Sequence, residues 1–524
     1  MNYLELEQKI VSWYKNISPS IKKSLLISFI LINIAFLFHT TNFMFGDHDW
    51  LYVKGQTYWK EGTFEGRPLH FVLQSIFFSG QILPLLNNLF SFFALALSSI
   101  MLAKYWKIPE TTLNYTLFAT FVGVIPYTLV WLYYAKDAFI NLSLPLIIMC
   151  ALFLADYAKI SKKIYLHIAA ILVFVFAFSC YVAVIEMIGI CVLGSIIVDY
   201  AIKKESLFEV VKKNISIAID VLVALVLFKA FMQMFPLTSS YNTKVIPLEF
   251  VLEKLNQTIV VMFSQFTAVL PFMEYKYKLL LLILSIFGMC SLLYLSGIKR
   301  VIPTLFMCFV LLFISKFAYF IADERGEILA QMEDFAFVPR LDFYGLVYVY
   351  AFFLMFVLLI PQQKIKKIGI SIVVIITFMS IVRDAYALKV WKFGFDAEMK
   401  THERIVSRLE QYKGFDVNRH YRLLQIGSLS LRKNYYKKQE NEKIGLDLLE
   451  TSFTPQYMSR IVYNFYYPKD IFYNNVSIDA LSPDGVDFIK NKAQAWPNKN
   501  SIFIDGDIVI VVLSEDELIK IRQR

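Results

Sequence analysis

Eleven apolar runs, each close to the length of a membrane-crossing helix, leave this chain few ways to fold. They lie at about 24–40, 83–103, 112–131, 138–155, 164–180, 182–200, 215–233, 279–297, 301–320, 341–360 and 367–386. A bilayer hydrocarbon core is crossed by about 20 helical residues. Backbone amides in that core must bond within their own segment, so runs of this length are read as helices. The stretch 164–200 holds two spans, with the break near Cys180–Tyr181. The expected fold is an α-helical polytopic membrane protein of about 11 transmembrane helices.

Composition agrees. The chain is 57% hydrophobic and 18% charged, with a mean hydropathy of +0.55, against roughly 45–50% and about 25% in soluble domains. Its 48 Phe and 31 Tyr suit bilayer interfaces and apolar grooves. Cys150, Cys180, Cys191, Cys290 and Cys308 all fall in apolar segments without zinc-ligand spacing, and are expected as buried small hydrophobes. No small-residue cleavage site follows a short apolar core, so 24–40 reads as a retained signal anchor. Residues 1–23 read as an amphipathic lead-in on the membrane surface.

The formal net charge of +10 is a topology signal. With the N-terminus in the cytoplasm, the inner segments hold Lys9, Lys15, Lys22 and Lys23; Lys104 and Lys107; Lys159, Lys162 and Lys163; Lys203, Lys204, Lys212 and Lys213; Lys299 and Arg300; and Lys364, Lys366 and Lys367. No basic run is interleaved with aromatics as in a nucleic-acid groove, and nucleic acid is excluded as a partner. The outer loops are then 41–82, 133–137, 234–278 and 322–342. An odd span count leaves the tail outside as well. The chain divides into a membrane domain, 1–390, and a small α/β domain, 391–524. In the latter RLLQIG, SIFID and DIVIVVLS read as strands, and SPDGVDFIKNKAQAW and SEDELIKIRQ as helices.

Polar chemistry concentrates in the first outer loop. The segment 42–70 carries Asp47, His48, Asp49, Trp50, Trp59, Arg67 and His70. Two aspartates two apart point the same way in an extended loop. One can take a proton from an attacking hydroxyl while the other orients the acceptor; the plainer reading is an Asp N-cap ahead of Trp50. Pro68 marks a helix start. Arg67 and His70 share its face, with Arg67 either snorkelling or meeting a lipid phosphate. Lys136 and Asp137 read as an exposed ion pair, or Lys136 as a second phosphate ligand. Glu186, with Tyr181 nearby, is an intramembrane acid of the kind that faces a polar cavity. Asp220 and Lys229 are also intramembrane and are expected to satisfy each other. The last outer loop offers Arg325 and Arg340, the latter with Asp342 or Asp334 as an ion-pair partner. No HExxH, CxxC, GxSxG, phosphate-cradling or dinucleotide motif occurs. Asp47, His48 and Asp49 can in principle bind a divalent ion.

The stretches FGDHDW with GRPL, YYAKDAF, SCYVAVIE, FVPRLDF, RDAYALKVWKFGFDAEMKTHERI and AWPNKNSIFIDGDIVIVVL resemble the GT-C integral-membrane glycosyltransferases. Within them the chain is most similar to the bacterial O-antigen (serotype-modifying) glucosyltransferase family. The family tends to a paired Asp motif, which His48 splits here. The resemblance implies an inner-membrane enzyme of lipopolysaccharide modification. It would move glucose, or another hexose, from a polyprenyl-phosphate-sugar donor to O-antigen or another surface glycan in the periplasm, inverting the anomeric centre. In that scheme Asp49 is the general base and Asp47 supports it. Arg67, Lys136, Arg340 and Arg325 surround the donor phosphate, and His48, His70, Trp50, Tyr181 and Glu186 contact substrate. A phosphate-lipid donor requires no cofactor or metal. A donor-synthesising glucosyltransferase and a flippase are implied partners. The alternatives are a lipid-linked oligosaccharide flippase or transporter, which would be expected to show internal repeats, and an O-antigen polymerase.

Overall fold

The first helix starts at a cap that the sequence spells out. Ser18 Oγ accepts from Ile21 N at 3.2 Å, and Pro19 follows at the first helical position, where its missing N–H has no intrahelical role. In this computed structural model the structure describes residues 12, 15–42, 44, 67–78, 81–133, 135–234, 248–266, 275–321, 339–427 and 459–523. In chain order the helices are α1 Pro19–Ala35, α2 Leu37–Thr41, α3 Pro68–Phe78, α4 Pro84–Tyr105, α5 Thr112–Val124, α6 Tyr127–Tyr133, α7 Ala135–Ser161 and α8 Ile164–Cys180. After them come α9 Ile185–Ala201, α10 Leu207–Met232, α11 Val251–Ser264, α12 Tyr275–Ser296, α13 Val301–Ile314, α14 Phe317–Ile321, α15 Pro339–Tyr344, α16 Leu346–Leu359 and α17 Gln363–Glu410.

Among the described residues, seven helices are long and apolar enough to cross a membrane, and eight if the bent pair α5–α6 is one span. The chain is a helical polytopic membrane protein. The other three apolar runs fold as shorter helices: α1 and α8 have 17 residues each, and α13 has 14. The α5–α6 pair bends by 48° at Pro126. Proline drives its predecessor out of the helical region, and Ile125 is accordingly extended. Tyr181, also extended, separates α8 from α9.

The outward surface has the polarity of a protein in lipid. Leu26, Leu172, Leu222, Val226 and Phe378 are all exposed. By contrast α16 is buried all round from Leu346 to Leu358, as an evenly apolar helix at the centre of a bundle should be. It packs closely on α12, where a Cβ on Gly288 would meet the Phe353 carbonyl oxygen at 2.4 Å. Cys180, Cys191 and Cys308 are buried as expected, whereas Cys150 and Cys290 are exposed on the apolar surface.

The basic turns are held by their own cations. Lys107, Lys162 and Lys204 have φ of 60°, 55° and 61°, just beyond the ends of α4, α7 and α9. Lys204 Nζ donates to the Ala201 and Ser296 carbonyls at 2.8 Å each. Arg300 reaches the Tyr200 and Glu205 carbonyls at 2.5 and 2.7 Å. Cations on the Tyr200, Ala201 and Ser296 carbonyls, at the C-terminal ends of α9 and α12, complement the helix dipole. The expected Asp220–Lys229 pair does not form: nine residues put them about 13 Å apart along one helix. Asp220 instead meets His167 of α8 at 2.7 Å.

The larger part of a second compact unit begins at Tyr386. The boundary expected at 391 falls inside α17, which runs unbroken for 48 residues. The sheet has strands β1 Tyr421–Ile426, β2 Phe472–Asn475, β3 Ile502–Asp505 and β4 Ile508–Val512 in the order β2-β1-β4-β3. β1 runs parallel to β2 and β4, while β3 and β4 form an antiparallel hairpin. All five β4 residues are buried, because side chains alternate between two covered faces. Val509 and Val511 join Ile405 and Leu409 of α17 on one face. Ile508, Ile510 and Val512 join Phe488, Ile489 and Leu518 on the other.

Candidate functional site

Buried polar side chains gather at the helix ends remote from the basic turns. Pro68 opens α3 and sets Arg67 just ahead of it. The Arg67 guanidinium lies 4.8 Å above the Tyr181 ring, a cation–π contact. One turn on, His70 Nε2 is 2.9 Å from Asp137 Oδ1, with His70 1% and Asp137 4% exposed. The expectation of an exposed Lys136–Asp137 pair is corrected for Asp137. α6 ends at Tyr133 and α7 begins at Ala135, so Asp137 enters the helix and the bundle rather than a solvated loop.

Pro145 shapes the next layer. Inside α7 it cannot donate to the carbonyl four residues back. That carbonyl belongs to Asn141, and it accepts from the Tyr344 hydroxyl at 2.8 Å. The Asn141 amide donates to the Asp137 carbonyl at 3.0 Å. Tyr344 also packs 5.5 Å from the Tyr181 ring and 6.1 Å from Trp131. Arg67, Tyr181, Tyr344, Asn141, Asp137 and His70 thus form one connected path.

Glu186 stands in the first turn of α9 and is 1% exposed. Its Oε1 accepts from Ala318 N at 2.8 Å. Ala318 is in the first turn of α14, where N–H groups lack intrahelical acceptors. Glu186 Oε2 has no hydrogen-bond partner among the described residues. Lys316 occupies the break between α13 and α14 and is paired with Asp342 of α15, both buried. Gly345 lets these segments meet, since a Cβ there would lie 2.4 Å from the Ser315 carbonyl oxygen and 2.8 Å from Glu186 Oε2. Burying an ion pair costs several kcal/mol of desolvation per ion before any attraction is counted. Groups of this kind in an apolar bundle mark functional positions.

Asp47, His48, Asp49, Trp50 and Arg325 lie outside the described residues. Lys136 falls in α7 and Arg340 in α15, and their side chains also lie outside the described residues. Of the expected set, Arg67, His70, Tyr181 and Glu186 are brought to this cluster. Among the described residues no three His, Cys, Asp or Glu side chains are grouped to hold a metal ion.

Compared with protein-family models, curated proteins and solved structures, this chain matches none. The site is therefore read from its own chemistry. It combines guanidinium and ammonium groups with carboxylates and packed tyrosines in a largely desolvated setting, where charge–charge interactions are several-fold stronger than in water. Such a set can hold an anionic group and orient hydroxyls beside it. Asn141, Lys316, Asp342 and Tyr344 were not singled out as site residues by sequence. For Lys316 a signal was present: a lone lysine in FVLLFISKFAYF.

Proposed function

We propose that this protein is a GT-C-type membrane glycosyltransferase with eleven spans, its N-terminus cytoplasmic and its C-terminal unit periplasmic. It moves a hexose, glucose in the closest reading, from a polyprenyl-phosphate donor to O-antigen or another surface glycan. The reading is supported by the cluster of half-buried Arg67 with buried His70, Asp137, Tyr181, Glu186, Lys316 and Asp342 at the helix ends away from the basic turns. There the described residues set a guanidinium and an ammonium beside carboxylates.

In this scheme an acceptor hydroxyl oxygen attacks the anomeric carbon as the bond from that carbon to the phosphate oxygen breaks. The electron pair leaves with the lipid phosphate, whose charge Arg67, Lys136, Arg325 and Arg340 offset. The hydroxyl proton passes to Asp49, with Asp47 in support. His48, His70, Trp50, Tyr181 and Glu186 contact substrate. Direct displacement inverts the centre. The donor reaches this face through a separate flippase, after a separate enzyme has made it.

The test uses membranes carrying wild-type protein, Asp49→Asn or Asp47→Asn, supplied with polyprenyl-phosphate-glucose and acceptor glycan. Loss of transfer in at least one variant is expected; full activity in both sinks the assignment. Comparing the cell-surface glycan with and without the gene identifies the sugar and linkage.

A further inference from the structure

The helix α11 turns several large apolar side chains outward. Leu252, Val260 and Phe263 face outward at 79%, 62% and 56% exposure, and Leu248 just before the helix at 93%. Its inward face buries Lys254, Thr258 and, at the C-cap, Gln265, at 5%, 0% and 1%, together with Val261 and Met262, and its outward face also carries Glu253, Asn256 and Gln257. By sequence this segment belongs to the outer loop 234–278. The apolar outward face continues onto α13, where Ile302 and Phe306 are 81% and 67% exposed. The membrane interface is the surrounding that suits this face, because acyl chains accept Leu252, Val260 and Phe263 while the headgroup layer accepts Glu253, Asn256 and Gln257.

Behind the C-terminal end of α11 stands Lys278, in the first turn of α12 and 1% exposed. Its Nζ donates to the Tyr127 hydroxyl and to the Gln265 carbonyl, both at 2.9 Å. Among the described residues these two neutral oxygens are its acceptors. The charges that act on it are Asp342 and Lys316, which already neutralise each other. An ammonium offers three donors, and a buried one without a counter-ion is costly. Lys316, equally buried, is paired with a carboxylate, whereas Lys278 forms no ion pair among the described residues. An incoming anion supplies what is missing.

We propose that α11 lies in the membrane with Leu252, Val260 and Phe263 among acyl chains, and that Lys278 behind it receives the phosphate of a lipid. Phosphate oxygens are strong acceptors for an ammonium point charge, and the apolar face of α11 is where the lipid's hydrocarbon runs. This rests on the reading that the protein handles a lipid-linked phosphate, and adds to that reading a site that needs no sugar. Glu249 and Glu253 sit on or beside α11, so the test must separate Lys278 from the general charge of the segment.

The experiment titrates the full-length protein, in phosphatidylcholine nanodiscs, with polyprenyl phosphate, with polyprenol and with inorganic phosphate, and reads binding by native mass spectrometry. Wild-type protein is expected to bind polyprenyl phosphate in preference to both others. Lys278→Gln is expected to bind it about tenfold more weakly or worse, the size of one charge-assisted hydrogen bond. Equal affinity in Lys278→Gln overturns the site. Wild-type binding of inorganic phosphate as tight as that of the lipid overturns the lipid assignment. A nitroxide attached at Val260→Cys in a background lacking the native cysteines provides a second measure that does not require Lys278 to change. It is expected to be relaxed by dissolved oxygen and shielded from a water-soluble nickel chelate. Ready access to the chelate overturns membrane placement of α11. Lipid binding lost with sugar transfer intact overturns this site alone. Lipid binding intact with no transfer from any donor overturns the transferase reading alone.

Discussion

The Tyr344 hydroxyl lies 2.8 Å from the Asn141 carbonyl oxygen, the oxygen that Pro145 leaves without its helical donor. A proline in α7 and a tyrosine in α15 are thereby interdependent. Tyr344→Phe should strand a buried carbonyl and lower stability by about 1–3 kcal/mol. Pro145→Ala restores the helical N–H, so the same tyrosine substitution in that background should be milder. Thermal melts of the four proteins in detergent check this, and equal losses in both backgrounds would remove the coupling.

The 2.9 Å contact between His70 and Asp137 ties α3 to α7 in a desolvated setting. Substituting either partner alone leaves the other in a buried site shaped for two. His70→Ala and Asp137→Ala should each destabilise by about 1–3 kcal/mol. The double variant should lose less than the sum. Additive losses would mean that the two side chains act independently.

Gly345 should tolerate no side chain. A methyl group there meets the Ser315 carbonyl oxygen and Glu186 Oε2 at 2.4 and 2.8 Å, and backbone cannot yield as a side-chain end can. Gly345→Ala is expected to cost about 1–3 kcal/mol through overpacking. Relieving one obstacle with Glu186→Ala should recover part of the loss and not all, since the carbonyl remains. A melting temperature unchanged by Gly345→Ala would refute the close approach.

In the second unit Arg422 forks onto Asp507, with Nε to Oδ2 at 2.7 Å and Nη2 to Oδ1 at 2.6 Å. These bonds chiefly hold the Asp507 carboxyl below its ordinary range. A depressed carboxyl stabilises the fold above its unfolded value, about 3.9, and that contribution disappears as pH falls through the folded value. Both groups are solvent-accessible, so the effect is modest and weakened by salt. Arg422→Gln should flatten the acid side of the unfolding profile below about pH 5, followed by tyrosine fluorescence in urea. Profiles that superimpose would show the pair to be without consequence.

Orientation has a direct test. A reporter fused after the last residue should register as extracytoplasmic if eleven spans follow a cytoplasmic N-terminus. A cytoplasmic signal would reverse the assignment of every loop, the first included.

The bundle was legible because length and hydropathy suffice for a helix in lipid; Pro68, Tyr181 and the strand at 508–512 stood where the pattern placed them. The run of α17 through 391 was not legible. Its charged second half looks like a new domain, yet no proline interrupts it, and a change of composition alone does not stop a helix. Asp137 was misread for a related reason. Turn-like polarity in YYAKDAF suggested solvent, and nothing local announces that His70, 67 residues earlier in the chain, comes to cover it. Lys278 and Lys316 sit at the margins of apolar runs, where a lysine resembles an interface anchor until its neighbours in space are known.

Lys107, Lys162 and Lys204 occupy a left-handed backbone position that glycine adopts without strain and other residues at a cost near 1 kcal/mol. Glycine at each would relax the backbone, although at Lys204 it would remove the bonds to the Ala201 and Ser296 carbonyls and at Lys107 the pair with Asp199. It would also delete a charge that tells the insertion machinery which side of the membrane the turn belongs to. At Lys162, whose side chain holds no such contact among the described residues, a substitution that improves the finished fold degrades the instructions for threading it, so a screen for thermostability alone would select chains that are harder to insert correctly.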